Sequence, residues 1–114
     1  APYLDADSVL VDNQDGVAIC IDELMSQGCK KLALIADTPA IWTAAERITG
    51  FKKATLSRKL RNENALVVSG IHNSQEAEEV TRKLLEEESV DGIIATNDLI
   101  AIGVGQVIMA TNSR

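Results

Sequence analysis

Aromatic side chains are almost missing from this 114-residue chain: Tyr3, Trp42 and Phe51 are all it has. A core with so few rings must be built from Ile, Leu, Val and Ala, a composition that suits helices laid on a parallel sheet. Cysteine is scarce as well. Cys20 and Cys29 form no CxxC pair and show no metal-ligand spacing, so two reduced thiols of a cytoplasmic protein are the economical reading. Neither a signal peptide nor a membrane-spanning run stands in the sequence. Histidine occurs once, as His72, with no Cys or Ser partner at a recognisable spacing. GxSxG, HExxH, Walker and GxGxxG patterns are all missing, so no catalytic arrangement stands up. A receiver-like phosphorylation site would need a lysine at the end of a late strand, where this chain has Thr96-Asn97-Asp98. The expectation is a non-enzyme that holds no metal and no cofactor. Positive charge is also short. Eleven Lys and Arg face seventeen Asp and Glu, a net charge of −6, which argues against this segment gripping nucleic-acid phosphates unaided. Much of the excess lies in Glu76, Glu78, Glu79 and Glu86-Glu87-Glu88, as expected of the solvated face and ends of one helix.

What the chain does have is a regular alternation of apolar patterns. Apolar residues make up 46% and charged residues 25%, the balance of a soluble globular domain. A chain of this length is one domain or a piece of one, able to bury roughly 65% of its extended surface. Residues 8–11 read as a short strand. Asn13 can cap a helix whose stripe is Val17, Cys20, Ile21, Leu24 and Met25, and Gly28 supplies the left-handed turn that ends it. Residues 31–36 form the next strand. Thr43 and Glu46 have capping-box spacing at the head of a helix over residues 43–60, with Ala44, Ile48 and Phe51 inside. Residues 65–68 are a third strand. Asn73 and Glu76 repeat the capping box before a helix carrying Ala77, Val80 and Leu84 inward. Residues 93–96 are the last strand, and a helix from Leu99 to about residue 110 is apolar on nearly every side. Four strands and four helices in strict alternation predict a three-layer αβα fold with a central parallel sheet. A helix apolar all round is buried on two sides, the second side being another subunit or another domain.

In an open parallel sheet, ligands sit in the crevice at the carboxyl ends of the strands. Polar residues collect there: Asp37, Thr38, Trp42 and Thr43 after the second strand, His72 and Asn73 after the third, Asn97 and Asp98 after the fourth, with Arg47 one turn into the second helix. That inventory suits a polyhydroxy ligand, since Asp and Asn bond hydroxyls, Arg offers a planar donor fork, and Trp or His gives a flat face. Each residue also has a plain structural role available. Asn97 or Asp98 can cap the helix behind it; Arg47 can be a surface arginine; Trp42 can cover the core edge; His72 can be a loop residue.

Four segments in order and spacing carry a resemblance: Val11-Asp12-Asn13-Gln14-Asp15-Gly16, the stretch from Leu24 through Gly28-Cys29-Lys30-Lys31 to Ile35, Arg47-Ile48-Thr49-Gly50-Phe51, and Thr96-Asn97-Asp98-Leu99-Ile100-Ala101-Ile102-Gly103. Together they resemble the LacI/GalR-type transcriptional regulators over residues 7–110. The resemblance implies the C-terminal subdomain of a periplasmic-binding-protein-like effector domain, a single α/β unit over residues 1–114. The DNA-binding headpiece and the N-terminal subdomain would lie outside it. It implies a small-molecule effector, a sugar or similar polar metabolite, held by Arg47, Asn97, Asp98, His72, Trp42 and Thr43. It implies a homodimer packed through the last helix at Leu99, Ile100, Val104, Val107 and Ile108, and operator DNA met only through the headpiece. Cys29 and Asp37 depart from the family pattern, which has His and Gly there; the second departure alters the cleft wall. A transport-type sugar-binding protein shares this core and is the alternative reading; a free-standing flavodoxin-like receiver or enzyme module is a more distant one.

Overall fold

Four strands, each four residues long, make the sheet. In a computed structural model that describes residues 7–11 and 16–112, they are β1 (Asp7–Leu10), β2 (Leu32–Ile35), β3 (Ala65–Val68) and β4 (Gly92–Ala95). All pairings are parallel, in the order β1-β4-β2-β3. Helices α1 (Gly16–Ser26), α2 (Trp42–Ser57), α3 (Ser74–Glu86) and α4 (Asp98–Asn112) follow the strands in turn, and a short 3-10 turn at Asn62–Asn64 precedes β3. The expected cap Asn13, the rest of residues 12–15 and Tyr3 lie outside the described residues.

Strand periodicity divides the core in two. On β2, Leu32 and Leu34 pack with Val17, Ile21 and Leu24 of α1 and with Ile48, Phe51 and Ala54 of α2. The alternate residues Ala33 and Ile35 pack with Ala77, Leu84 and Leu85 of α3 and with Ile100, Val104 and Val107 of α4. Successive side chains of a strand point to opposite faces, so α1 and α2 cover one face and α3 and α4 the other. This is the three-layer arrangement expected. β2 and β4 are buried at every position, whereas β3 is half-buried along its length because it is an edge strand.

Helix ends show where local chemistry was enough. Gly28, at φ +98°, closes α1 as anticipated: its N–H donates to Met25 O at 3.0 Å and that of Cys29 to Leu24 O at 3.0 Å. This is a Schellman motif. α2 ends in the same bond pattern, with Lys59 at φ 62° in place of glycine, so it stops at Ser57 rather than at residue 60. The Asn73 half of the Asn73–Glu76 capping box forms, Asn73 Oδ1 accepting from Glu76 N–H at 2.8 Å, while the Glu76 carboxylate takes His72 N–H instead of that of Asn73. The Thr43–Glu46 box does not. A turn closed by Ile41 N–H on Thr38 O starts α2 at Trp42. Ile41 is then the N-cap and makes no side-chain cap, while Thr43 already lies inside the helix. Of the α1 stripe, Met25 is exposed and Cys20 half-buried.

The last helix corrects a second expectation. Ile100 and Val104 are fully buried and Val107 is 5% exposed, all in the chain's own core against α3 and the sheet. They are not surface residues open to a second subunit. Ile108 is partly buried against the same core. The exposed apolar residues of α4 are Leu99, Ile102 and Met109, which repeat on one face of the helix. Gly103 explains how closely α4 lies on α3. A Cβ there would overlap the carbonyl oxygen of Ser74 and come within 2.7 Å of Ala77 Cβ. Alanine normally favours a helix interior over glycine by about 1 kcal/mol. Here Gly103→Ala should instead destabilise the chain by about 1–3 kcal/mol, the range for overpacking, as urea denaturation would show. A gain in stability would mean that the helices separate without cost.

At the amino edge of the sheet, Asp91 ties the elements together. Its carboxylate accepts from the N–H groups of Lys30 and Lys31 at 2.9–3.0 Å. Its carbonyl accepts from Asp7 N–H and from the thiol of Cys29, at 3.0 and 3.2 Å. Burial, with Asp91 and Asp7 beside it, pushes the Cys29 thiol up to about 11. The thiolate is the reactive form. At pH 8 Cys29 should therefore be alkylated by iodoacetamide at least about a hundredfold more slowly in the native chain than in urea, where the ordinary thiol pKa of about 8.5 returns. Mass spectrometry of the labelled peptides checks this; equal rates would place Cys29 at the surface. On the far side of α1, Arg58 forks onto Asp22 at 2.6 and 2.9 Å and holds that carboxyl below its ordinary range.

Candidate functional site at the carboxyl edge

The three loops that leave β4, β2 and β3 sit side by side, because those strands are neighbours in that order. Main-chain bonds knit them. Ala36 N–H donates to Val68 O and Ile71 N–H to Ala36 O, at 2.8 and 3.1 Å. Thr96, which is buried, donates from both Oγ1 and N–H to Ile35 O. Side chains on these loops therefore stand on a fixed backbone.

Asp37 and His72 meet across two of the loops. His72 Nδ1 lies 2.7 Å from Asp37 Oδ1, with the imidazole 58% and the carboxylate 23% exposed. The same carboxylate oxygen accepts from Thr38 N–H at 2.7 Å. A carboxylate on Nδ1 orients the ring and leaves Nε2 directed elsewhere. His72 is fastened from below as well, its N–H donating to Glu76 Oε1 at 2.7 Å. This pair was out of reach of sequence reasoning. Its members are 35 positions apart, and no local signal beyond a place after a strand marks either of them.

Asn97 follows β4 and caps α4, its Oδ1 accepting from Ile100 N–H at 2.9 Å. The structural role is thus realised, and it leaves the amide NH2 to donate to a ligand. Asp98 is exposed in the first turn of α4. Trp42, 72% exposed, and Thr43, also exposed, open α2. Arg47 lies on the next turn, and its Nη1 donates to Thr43 O at 3.0 Å. The guanidinium therefore reaches back along the helix, the direction in which helical side chains lean, toward the carboxyl edge. The structure thus puts all six expected ligand contacts on one edge of the sheet. It joins His72 to Asp37. Among the described residues no group of three or more His, Cys, Asp or Glu is placed to hold a metal, and no helix is long and apolar enough to cross a membrane. A groove of about 560 Å³ lies elsewhere, between the end of α2 and β3 around Leu56, Leu60 and Leu66. Its lining offers Lys52 and Asn62 but no convergent polar set, so the carboxyl edge is the better candidate site.

Comparison with known proteins agrees with the architecture. The Periplasmic binding protein-like domain matches residues 21–114, and the chain belongs to that family. Its relatives are bacterial transcription regulators. It is 34% identical to a ribose operon repressor of Halalkalibacterium halodurans over 96 residues, which is 83% of this chain and 28% of that protein. The transcription regulator CcpA of Lactococcus lactis superposes with a TM-score of 0.76 at 22% identity, over 89% of this chain and 37% of that one. A LacI family regulator from Enterococcus faecium, solved with bound ribose, superposes at 0.72 with 21% identity over 94% and 39%. The chain thus spans less than a third of the length of the curated repressor that it matches.

Proposed function

We propose that this chain is one wall of the effector cleft of a LacI-type transcriptional regulator, the C-terminal subdomain, which senses a sugar or similar small polar metabolite. The observation that carries the reading is the carboxyl edge itself. Asp37, His72, Asn97 and Asp98 follow three adjacent parallel strands, and Arg47 reaches toward the same edge from α2. The relatives named above support it, being regulators. A second subdomain would close over this edge, and a DNA-binding headpiece beyond this segment would meet the operator. Ligand bonded to both walls stabilises the closed arrangement over the open one, and that population shift changes the geometry presented to DNA. No bond is made or broken, so the role of these residues is binding rather than catalysis. Two copies would associate through the exposed Leu99, Ile102 and Met109 face of α4.

Arg47 is the residue with which to test the reading. In a full-length protein carrying this segment, Arg47→Ala should weaken effector binding by about 1.5–3 kcal/mol, as for loss of a charged hydrogen bond, with little change in melting temperature. Calorimetry showing unchanged affinity would remove Arg47 from the site.

A further inference from the structure

The helix N-termini at this edge are where an α/β domain would ordinarily hold a phosphate, because their free N–H groups and dipoles attract anions. In this chain four backbone donors at this edge are filled by its own oxygens. Glu76 N–H is taken by Asn73 Oδ1 and His72 N–H by Glu76 Oε1. Ile100 N–H is taken by Asn97 Oδ1, and Thr38 N–H by Asp37 Oδ1. Two of the four acceptors are carboxylates, and Asp98 adds a third in the first turn of α4. These loops and the first turns of α2, α3 and α4 carry no arginine or lysine; Arg47 stands on the second turn of α2. α2 differs from α3 and α4. It has no side-chain cap and no acid in its first turn, but Asp37 lies five residues before its start.

We infer that this wall selects an uncharged, hydroxyl-bearing ligand and excludes a phosphate ester, the discrimination resting on Asp37, Glu76 and Asp98. The inference rests on the effector reading above and narrows it. A hydroxyl both donates and accepts. It can give its proton to a carboxylate, or to His72 Nε2 while Nδ1–H is held by Asp37, and it can accept from the Asn97 amide or from Arg47. A phosphate dianion only accepts. It would meet three carboxylates, and the backbone donors of Thr38, His72, Glu76 and Ile100 are already used.

Two titrations test this separately. Inorganic phosphate added to the 15N-labelled chain at pH 7.5 should cause no saturable shift at the amides of Thr38, Thr43, Ala44, His72, Glu76 or Ile100. Saturation at any of them with a dissociation constant below about 10 mM, roughly 2.7 kcal/mol of binding, overturns the inference. The double variant Glu76→Gln, Asp98→Asn keeps a side chain able to complete the capping box and removes two charges. It should strengthen the phosphate response by at least about threefold, where an unchanged response shows that the carboxylates are not the cause. In a full-length protein, D-ribose and D-glucose are then compared with ribose 5-phosphate and glucose 6-phosphate by calorimetry. For whichever pair binds, the free sugar should be at least about tenfold tighter, or 1.4 kcal/mol, and a tighter ester overturns the inference. Failure of every sugar and ester to bind would count against the effector reading itself, with phosphate exclusion still decided by the first titration.

Discussion

Val104→Lys should unfold the chain, whereas Ile102→Lys, two residues away on the same helix, should leave its stability within about 0.5 kcal/mol of the parent. Val104 is fully buried between α3 and the sheet, among Ile100, Val107 and Ala77. A lysine there must carry an unpaired charge into an apolar core or give up its proton, and it also overfills the site. The loss should exceed about 4 kcal/mol, a large share of the 5–15 kcal/mol that a domain this size has. Ile102 is half-exposed on the outer face of α4, where a lysine is solvated. Circular dichroism on heating separates the two variants. Sedimentation of the stable one then reports on association, because Ile102→Lys should weaken self-association if the outer face of α4 joins two copies. A folded Val104→Lys chain would show that the α3–α4 contact is looser than described.

Phe51→Ala should cost about 3–5 kcal/mol, the range for removing a fully buried aromatic ring. Among the described residues Phe51 is the one aromatic of this core, and it is completely enclosed by α1, α2 and the sheet face of Leu32 and Leu34. Its described neighbours in that core carry no ring, so none of them can put an aromatic into the space. Urea titration should show a lower midpoint with an unchanged slope. A loss under about 1.5 kcal/mol, smaller than most large-to-small core substitutions, would mean that the aliphatic neighbours collapse to fill the cavity.

Phe51 and Arg47 belong to one stretch of sequence, Arg47 to Phe51, and the contrast between them shows what each level of description can reach. Phe51 follows from helical periodicity with Ala44 and Ile48, because burying apolar area favours one stripe wherever the helix is placed. Arg47 by itself reads first as a surface arginine; the structure adds that α2 starts beside the carboxyl edge, with the guanidinium turned back to Thr43. For Asn97, cap and ligand contact remain compatible, since its carbonyl and its amide can serve separately.

The sequence by itself determined the four strand–helix units, the parallel sheet, Gly28 as a helix stop and the Asn73–Glu76 cap, all of which depend on residues close together in the chain. Tertiary structure alone decided the rest. The failed Thr43–Glu46 box depended on a turn that starts α2 one residue early. The inner and outer faces of α4 could not be told apart by hydropathy, because both are apolar; the close crossing at Gly103 and the underlying sheet assigned Ile100, Val104 and Val107 to the core. The Asp37–His72 pair required β3 to lie beside β2. Strand order is set by the packing of whole helices on both faces of the sheet, an energy distributed over the entire core and carried by no local motif.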